Sequence, residues 1–348
     1  MADVAFGIFD HIERRKDEPL TETYEGRLKM LEVADKAGFH CYHLAEHHGT
    51  PLSMAPSPGI FLAAVAQRTR SLHFGPLVYL LPLYNPLRLA QEICMLDQLS
   101  GGRMEIGVGR GVSPFELAYF NVPFLESEEI FNESLEVIVS ALRNERVVHR
   151  GATYQIRGFP MALQPKQTPN PPFWYASTNP EKAEYAARRG MNLVGIGPAT
   201  VLKSVNQRYR EVFADRWQGS KSFNPNITEP KVGVLRHCYV AETDAEALEV
   251  ARPAYRMFHD NLQQLWRDFN TVATQIIGDV EVAAKHGAAI VGSPATIREE
   301  AARYFDQSGC NYQVLSFAWG GLTQEQSMRS LGLFTSEVMP FFPRPSSR

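Results

Sequence analysis

Three short segments hold side chains suited to catalysis or ligand binding. The first is His43-Leu44-Ala45-Glu46-His47-His48, where two imidazoles follow a carboxylate at the end of an apolar run. A neutral imidazole titrates near physiological pH, so His47 or His48 suits proton transfer or hydrogen bonding. A histidine satisfied by a loop carbonyl is the plainer alternative for either one. His43 and His47 are four apart, which on a helix aligns two metal ligands but on a strand separates them by about 13 Å. No third ligand stands at a diagnostic spacing, and no metal is expected.

The second segment is Gly107-Val108-Gly109-Arg110-Gly111. Its glycines let backbone approach a ligand closely, and its arginine offers a planar fork of donors suited to a phosphate. The full GxGxxG spacing is missing and Pro114 interrupts the helix start, so a dinucleotide fingerprint is not expected. A tight turn with a solvent-facing arginine is the alternative. The third segment, Ala176-Ser177-Thr178-Asn179-Pro180-Glu181, places capping residues before a proline fit for a first helical turn. Free backbone N–H groups there attract an anion, although a capped helix without a ligand has the same signature. The carboxylates Glu46, Asp97 and Glu105 show no pairing that spacing establishes, and they read as structural partners.

These segments need elements to position them. Eight β-rich apolar runs alternate with amphipathic stretches: Val4 to Phe9, His40 to Ala45, Leu72 to Val78, Met104 to Gly109, Pro172 to Ala176, Asn192 to Ile196, Val232 to Val240 and Tyr312 to Ala318. Helices are expected over Glu25 to Ala37, Pro86 to Leu99, Glu126 to Arg143, Glu181 to Arg189, Val201 to Trp217, Asp244 to Trp266, Pro294 to Asp306 and Gln324 to Met339. Strands alternating with helices imply parallel pairing, because parallel neighbours need a crossover. Eight strands suggest an α/β protein closed as a (β/α)8 TIM barrel, whose C-terminal strand ends carry the site. The expectation is one domain over 1–348, with a hairpin insertion at about 147–156, a lid-like insertion at about 269–289 and a frayed tail at 343–348.

Composition sets the outer limits. A length of 348 residues with 44% apolar and 21% charged side chains leaves ample material for a core. A net charge of −3 without like-charge blocks argues against nucleic acid or a membrane surface as partner. Cys41, Cys94, Cys238 and Cys310 lie far apart without CxxC spacing, as expected of reduced thiols. The start MADVAFGIFD lacks a basic stretch ahead of a long apolar run, and no run approaches the roughly 18 residues of a membrane span. A soluble cytoplasmic protein with a small-molecule substrate is expected.

Glu46-His47-His48, the run Leu96-Asp97-Gln98-Leu99-Ser100-Gly101-Gly102-Arg103 leading into Gly107 to Gly111, and the ending Leu333 to Phe341 resemble the bacterial luciferase-like flavin monooxygenases. The resemblance spans Val4 to Phe342 and is strongest from His40 to Gly111. It implies a TIM barrel that takes FMN in reduced form (FMNH2), delivered by a separate NAD(P)H-dependent flavin reductase. With O2 it would form a 4a-hydroperoxyflavin that oxygenates a small organic substrate. By position, His47 matches a catalytic histidine and Arg110 an arginine on the FMN phosphate. Ser177, Thr178 and Asn179 match a phosphate loop, and Leu77 and Val78 match a pair with an unusual peptide bond against the flavin. Gly109 stands where luciferase has a reactive cysteine. Gly197 stands where it has a pocket tryptophan, which puts long-chain aldehydes and light emission in doubt. Leu77, Val78, Tyr79, Leu80, Phe6 and Phe9 are candidates for an apolar cup that keeps water out. Homodimerisation is common among relatives, and a homodimer is expected here. A deazaflavin-dependent dehydrogenase and a non-catalytic flavin-binding subunit are the alternatives on this barrel.

Overall fold

The computed structural model describes residues 4–271 and 277–343. Its strands are β1 (Ala5–Asp10), β2 (Cys41–Leu44), β3 (His73–Pro76), β4 (Tyr79–Leu80), β5 (Ile106–Gly109), β6 (Arg146–Arg150), β7 (Gln155–Pro160), β8 (Phe173–Ala176), β9 (Asn192–Gly195), β10 (Val232–Val240), β11 (Ala289–Gly292) and β12 (Tyr312–Ser316). Ten of them form one parallel sheet in the order β3-β2-β1-β12-β10-β9-β8-β5-β4, with β11 added beside β10. A bridge between Phe74 and Met104 joins β3 to the approach of β5, bringing the two ends of the path together. The sheet is thereby all but closed into the expected barrel. β3 and β4 are the two halves of one barrel strand, split at Leu77 and Val78, whose peptide bond is cis. The backbones are tightly apposed here, since a Cβ on Gly107 would sit 2.1 Å from the Pro76 carbonyl oxygen.

Helices α1 (Leu20–Ala37), α2 (Pro58–Arg68), α3 (Pro86–Ser100), α4 (Pro114–Tyr119), α5 (Ser127–Arg143), α6 (Pro180–Arg188), α7 (Ala199–Ala214), α8 (Asp244–Asp268), α9 (Val280–Lys285), α10 (Pro294–Ser308) and α11 (Gln324–Leu333) supply the crossovers and caps. Local sequence explains their ends. α1 stops at Gly38 and α3 at Gly101, both in the left-handed region that glycine adopts freely. Pro86 and Pro180 open α3 and α6 behind Asn85 and Asn179, whose side chains accept the first free amides.

The LDQLSGGR run is a staple. The Arg103 guanidinium donates to Ala66 O at 2.8 Å, Thr69 Oγ1 at 2.8 Å and Leu72 O at 2.7 Å, tying the end of α2 to the entry of β3. Asp97 accepts the Gln167 amide at 2.8 Å and its side-chain Nε2 at 2.7 Å.

Side-chain alternation corrects part of the expected cup. Phe6 and Phe9 are three apart on β1 and face opposite ways. Phe9 points into the barrel with Ala45, Leu77 and Trp174, whereas Phe6 packs outward against Phe305, Phe334 and Phe342. Tyr79 likewise turns away from the lumen, edge-on to Tyr84. The hairpin is present as β6 and β7.

Part of the lid-like stretch, 272–276, lies outside the described residues, as does the tail beyond 343. Residues 280–289 form α9 and enter β11, with Val280 and Ala283 buried against α8 and β10, so this portion is packed structure. α2, α4, α9 and β11 are not among the elements expected from the sequence; α4 and α9 have six residues each and β11 only four. Among the described residues no helix is long and apolar enough to cross a membrane, and all four cysteines are free and buried.

Candidate functional site

A cleft of about 430 Å³ opens at the C-terminal ends of β1, β2, β4, β5 and β8. Phe9, Ala45, Leu77, Val78, Leu80 and Tyr175 give it apolar walls. His47, Glu46 and Glu116 supply its polar groups on one side, and Arg110, Glu128, Lys182 and Ser177 on the other. His47, Leu77, Val78, Gly109, Arg110 and Ser177 therefore meet in one cavity, as the barrel geometry requires of residues following successive strands. Thr178 and Asn179 do not line it. The Thr178 methyl packs toward Gly195, and the Asn179 carboxamide oxygen accepts Glu181 N at 2.8 Å and Lys182 N at 3.2 Å.

The two neighbouring histidines part company. His47 Nδ1 lies 3.1 Å from Glu116 Oε1, a buried carboxylate oxygen that also accepts the His48 amide at 2.7 Å. A carboxylate at Nδ1 fixes the ring proton there and leaves Nε2 as the basic nitrogen for a ligand. His48 turns away, with Nε2 2.9 Å from Glu46 Oε1 and its ring edge-on to Phe120. Glu46 also accepts Leu80 N at 3.1 Å and the Tyr84 hydroxyl at 2.9 Å, so it braces β4. His43 is inside the barrel, bonded to the Tyr312 hydroxyl at 2.9 Å, with burial pushing its pKa down to about 3. Among the described residues, no group of three or more His, Cys, Asp or Glu side chains is arranged to hold a metal.

Behind His47 is a buried imidazole, His11. The His11 and His47 ring centres are 5.6 Å apart, and burial, then the neighbouring His47 and His237, hold His11 well below its ordinary pKa. Glu13, two residues on, is pushed up to about 7 by burial while accepting Asn261 Nδ2 and Gly320 N.

At the other end, Arg110 stacks its guanidinium over Phe124 at 4.8 Å, and Lys182 and Arg110 both face Glu128. Gly109 is required by contact, because a Cβ there would sit 2.4 Å from Val78 Cγ2. Ser177 Oγ accepts Asn179 N at 3.1 Å, which leaves its hydroxyl hydrogen to donate.

Sequence reasoning missed Glu116, Glu128, Lys182 and His11. Ser113-Pro114-Phe115-Glu116 has the S-x-x-E spacing of a helix cap, and Ser113 does accept Glu116 N at 3.3 Å. The glutamate side chain instead reaches back to His47. Nothing in the spacing marks the other three.

The cleft offers two cations, a carboxylate and a hydroxyl at one end, apolar walls in the middle and a hydrogen-bonding imidazole beyond. The family model for luciferase-like monooxygenases matches residues 4–311. An uncharacterized protein, y4wF, of Sinorhizobium fredii is 35% identical over 97% of this chain and 96% of its own length. The oxygenase component of a flavin-dependent trigonelline monooxygenase from Acinetobacter baylyi is 28% identical, over 97% of this chain and 95% of its own. Among solved structures, the monooxygenase RslO1 of Streptomyces bottropensis superposes with a TM-score of 0.84 at 26% identity, covering 97% of this chain and 99% of that one.

Proposed function

Since the chain belongs to the luciferase-like monooxygenase family and is a flavin-dependent monooxygenase, we propose that its flavin is reduced FMN and that it places one atom of O2 in a small organic substrate. The reduced flavin comes from a separate NAD(P)H-dependent reductase, a reading supported by the trigonelline relative, which is named as one component of a system. One observation carries the proposal: His47 and Arg110, on loops after different strands, line the same cleft.

When bound, reduced FMN supplies the electrons that activate O2. The chain's own residues do the rest. Arg110, Lys182 and the Ser177 hydroxyl hold the phosphate by charge-assisted and neutral hydrogen bonds. Phe9, Leu77, Val78 and Leu80 form the apolar wall that would face the ring system and exclude water, which would strengthen every polar contact inside. His47, oriented by Glu116, moves or holds a proton at Nε2.

The test supplies chemically reduced FMN with candidate ketones, aldehydes and heteroatom compounds, and follows ¹⁸O₂. The expected result is flavin-dependent O2 uptake with one labelled oxygen in the product. Substrate oxidation that proceeds without O2, on a deazaflavin, overturns the proposal.

A further inference from the structure

Resting on the FMN reading, we propose that Glu128 is a built-in anion that occupies the phosphate end of the cleft and must yield when a phosphate arrives, so that the site holds FMN loosely by design. Three elements converge there. Arg110 leaves β5, Glu128 lies in the first turn of α5 and Lys182 in the first turn of α6, and all three side chains line the cleft. Glu128 Oε1 pairs with the Lys182 ammonium, and Glu128 Oε2 lies 3.9 Å from Arg110 Nε. One carboxylate thus lies between both cations that face this end of the cleft.

The charge arithmetic is direct. Two cations alone would present +2 to a phosphate monoester of charge close to −2, whereas with Glu128 between them the patch presents +1. A phosphate that takes both cations displaces the carboxylate, because the two anions side by side would repel. Glu128 has somewhere to go: it is about two-fifths exposed, and the α5 N-terminus favours a carboxylate in either position. Exposed ion pairs are weak, so the latch opens readily and subtracts from phosphate affinity without blocking the site. Loose binding suits a flavin that arrives from one protein and is released to be reduced again. It also makes Lys182 a phosphate contact that alternates between two anions.

The test is equilibrium titration of the full-length protein with FMN and with riboflavin, which lacks the phosphate, followed by flavin fluorescence at low salt. Glu128→Gln should tighten FMN roughly 1.5- to 5-fold, the scale of one exposed pair. Glu128→Ala should do the same, and riboflavin affinity should not change. Lys182→Met should weaken FMN and shrink the gain from Glu128→Gln when the two are combined, since the effects pass through one contact. FMN affinity that is unchanged or weaker in Glu128→Gln overturns the latch while leaving the flavin site standing. Wild-type protein that fails to bind FMN, or binds riboflavin equally well, overturns the phosphate assignment itself and the latch with it.

Discussion

Glu116 and His47, 69 residues apart in the chain, meet at 3.1 Å, and the same carboxylate oxygen holds the backbone amide of His48. One buried group therefore sets both the path of the loop and the orientation of the ring. Glu116→Gln retains a single acceptor oxygen and removes the charge. Turnover should fall on the order of 10- to 100-fold with FMN affinity unchanged, the pattern of a positioning residue. His47→Ala should cut oxygenation roughly 100-fold or more in a protein that melts normally. Steady-state O2 uptake checks both, and wild-type rates in His47→Ala would leave the histidine a structural residue.

Arg110→Ala removes a charged donor from the phosphate end. FMN affinity should weaken by about 1.5–3 kcal/mol, or roughly 10- to 150-fold, with riboflavin unaffected. Equal losses for the two flavins would move the phosphate elsewhere.

Gly109→Ala tests the contact between β5 and the Leu77-Val78 corner. The new Cβ meets Val78 Cγ2 at 2.4 Å, so either Val78 moves into the cleft or the strands part. Overpacking of this kind costs about 1–3 kcal/mol. A lowered melting temperature together with weaker FMN binding is expected, and the absence of both would show that the corner is loose.

Acid should destabilise the protein through its buried imidazoles. Burial lowers His237 to about 4 from an ordinary value of 6.5, so between those pH values the unfolded chain carries a proton that the native state does not. Stability then rises with pH by about 1.4 kcal/mol per unit for this one group. It is fully present above pH 6.5 and is lost as pH falls toward 4. His237→Asn should remove that much of the slope in denaturant titrations across this window, leaving the shares of His11, His40 and His43, which the raised pKa of buried Glu13 opposes. An unchanged slope would mean that His237 is protonated in the native state.

The barrel and half of the polar residues lining the cleft were legible in the sequence because both follow local rules. Strand ends in a barrel share one rim, so Glu46-His47-His48, Gly109-Arg110 and Ser177 had to meet once eight strands were counted. The helix starts at Asn85-Pro86 and Asn179-Pro180 obey capping chemistry. The same chemistry places Asn179 as a helix cap, its carboxamide oxygen accepting two amides of its own helix. Glu116 and Lys182 were hidden because their partners come from distant elements, and no spacing encodes such a meeting. Phe6 and Tyr79 failed as cup residues because parity along a strand, which hydrophobicity alone does not report, decides which side chain enters the lumen.

A crystal structure of the protein with FMN tests the central claim most directly. The isoalloxazine should rest against Leu77 and Val78 with His47 beside it, and the phosphate should lie on Arg110 and Lys182 with Glu128 turned aside. Flavin density elsewhere, or a cleft filled by the protein's own side chains, would contradict the account.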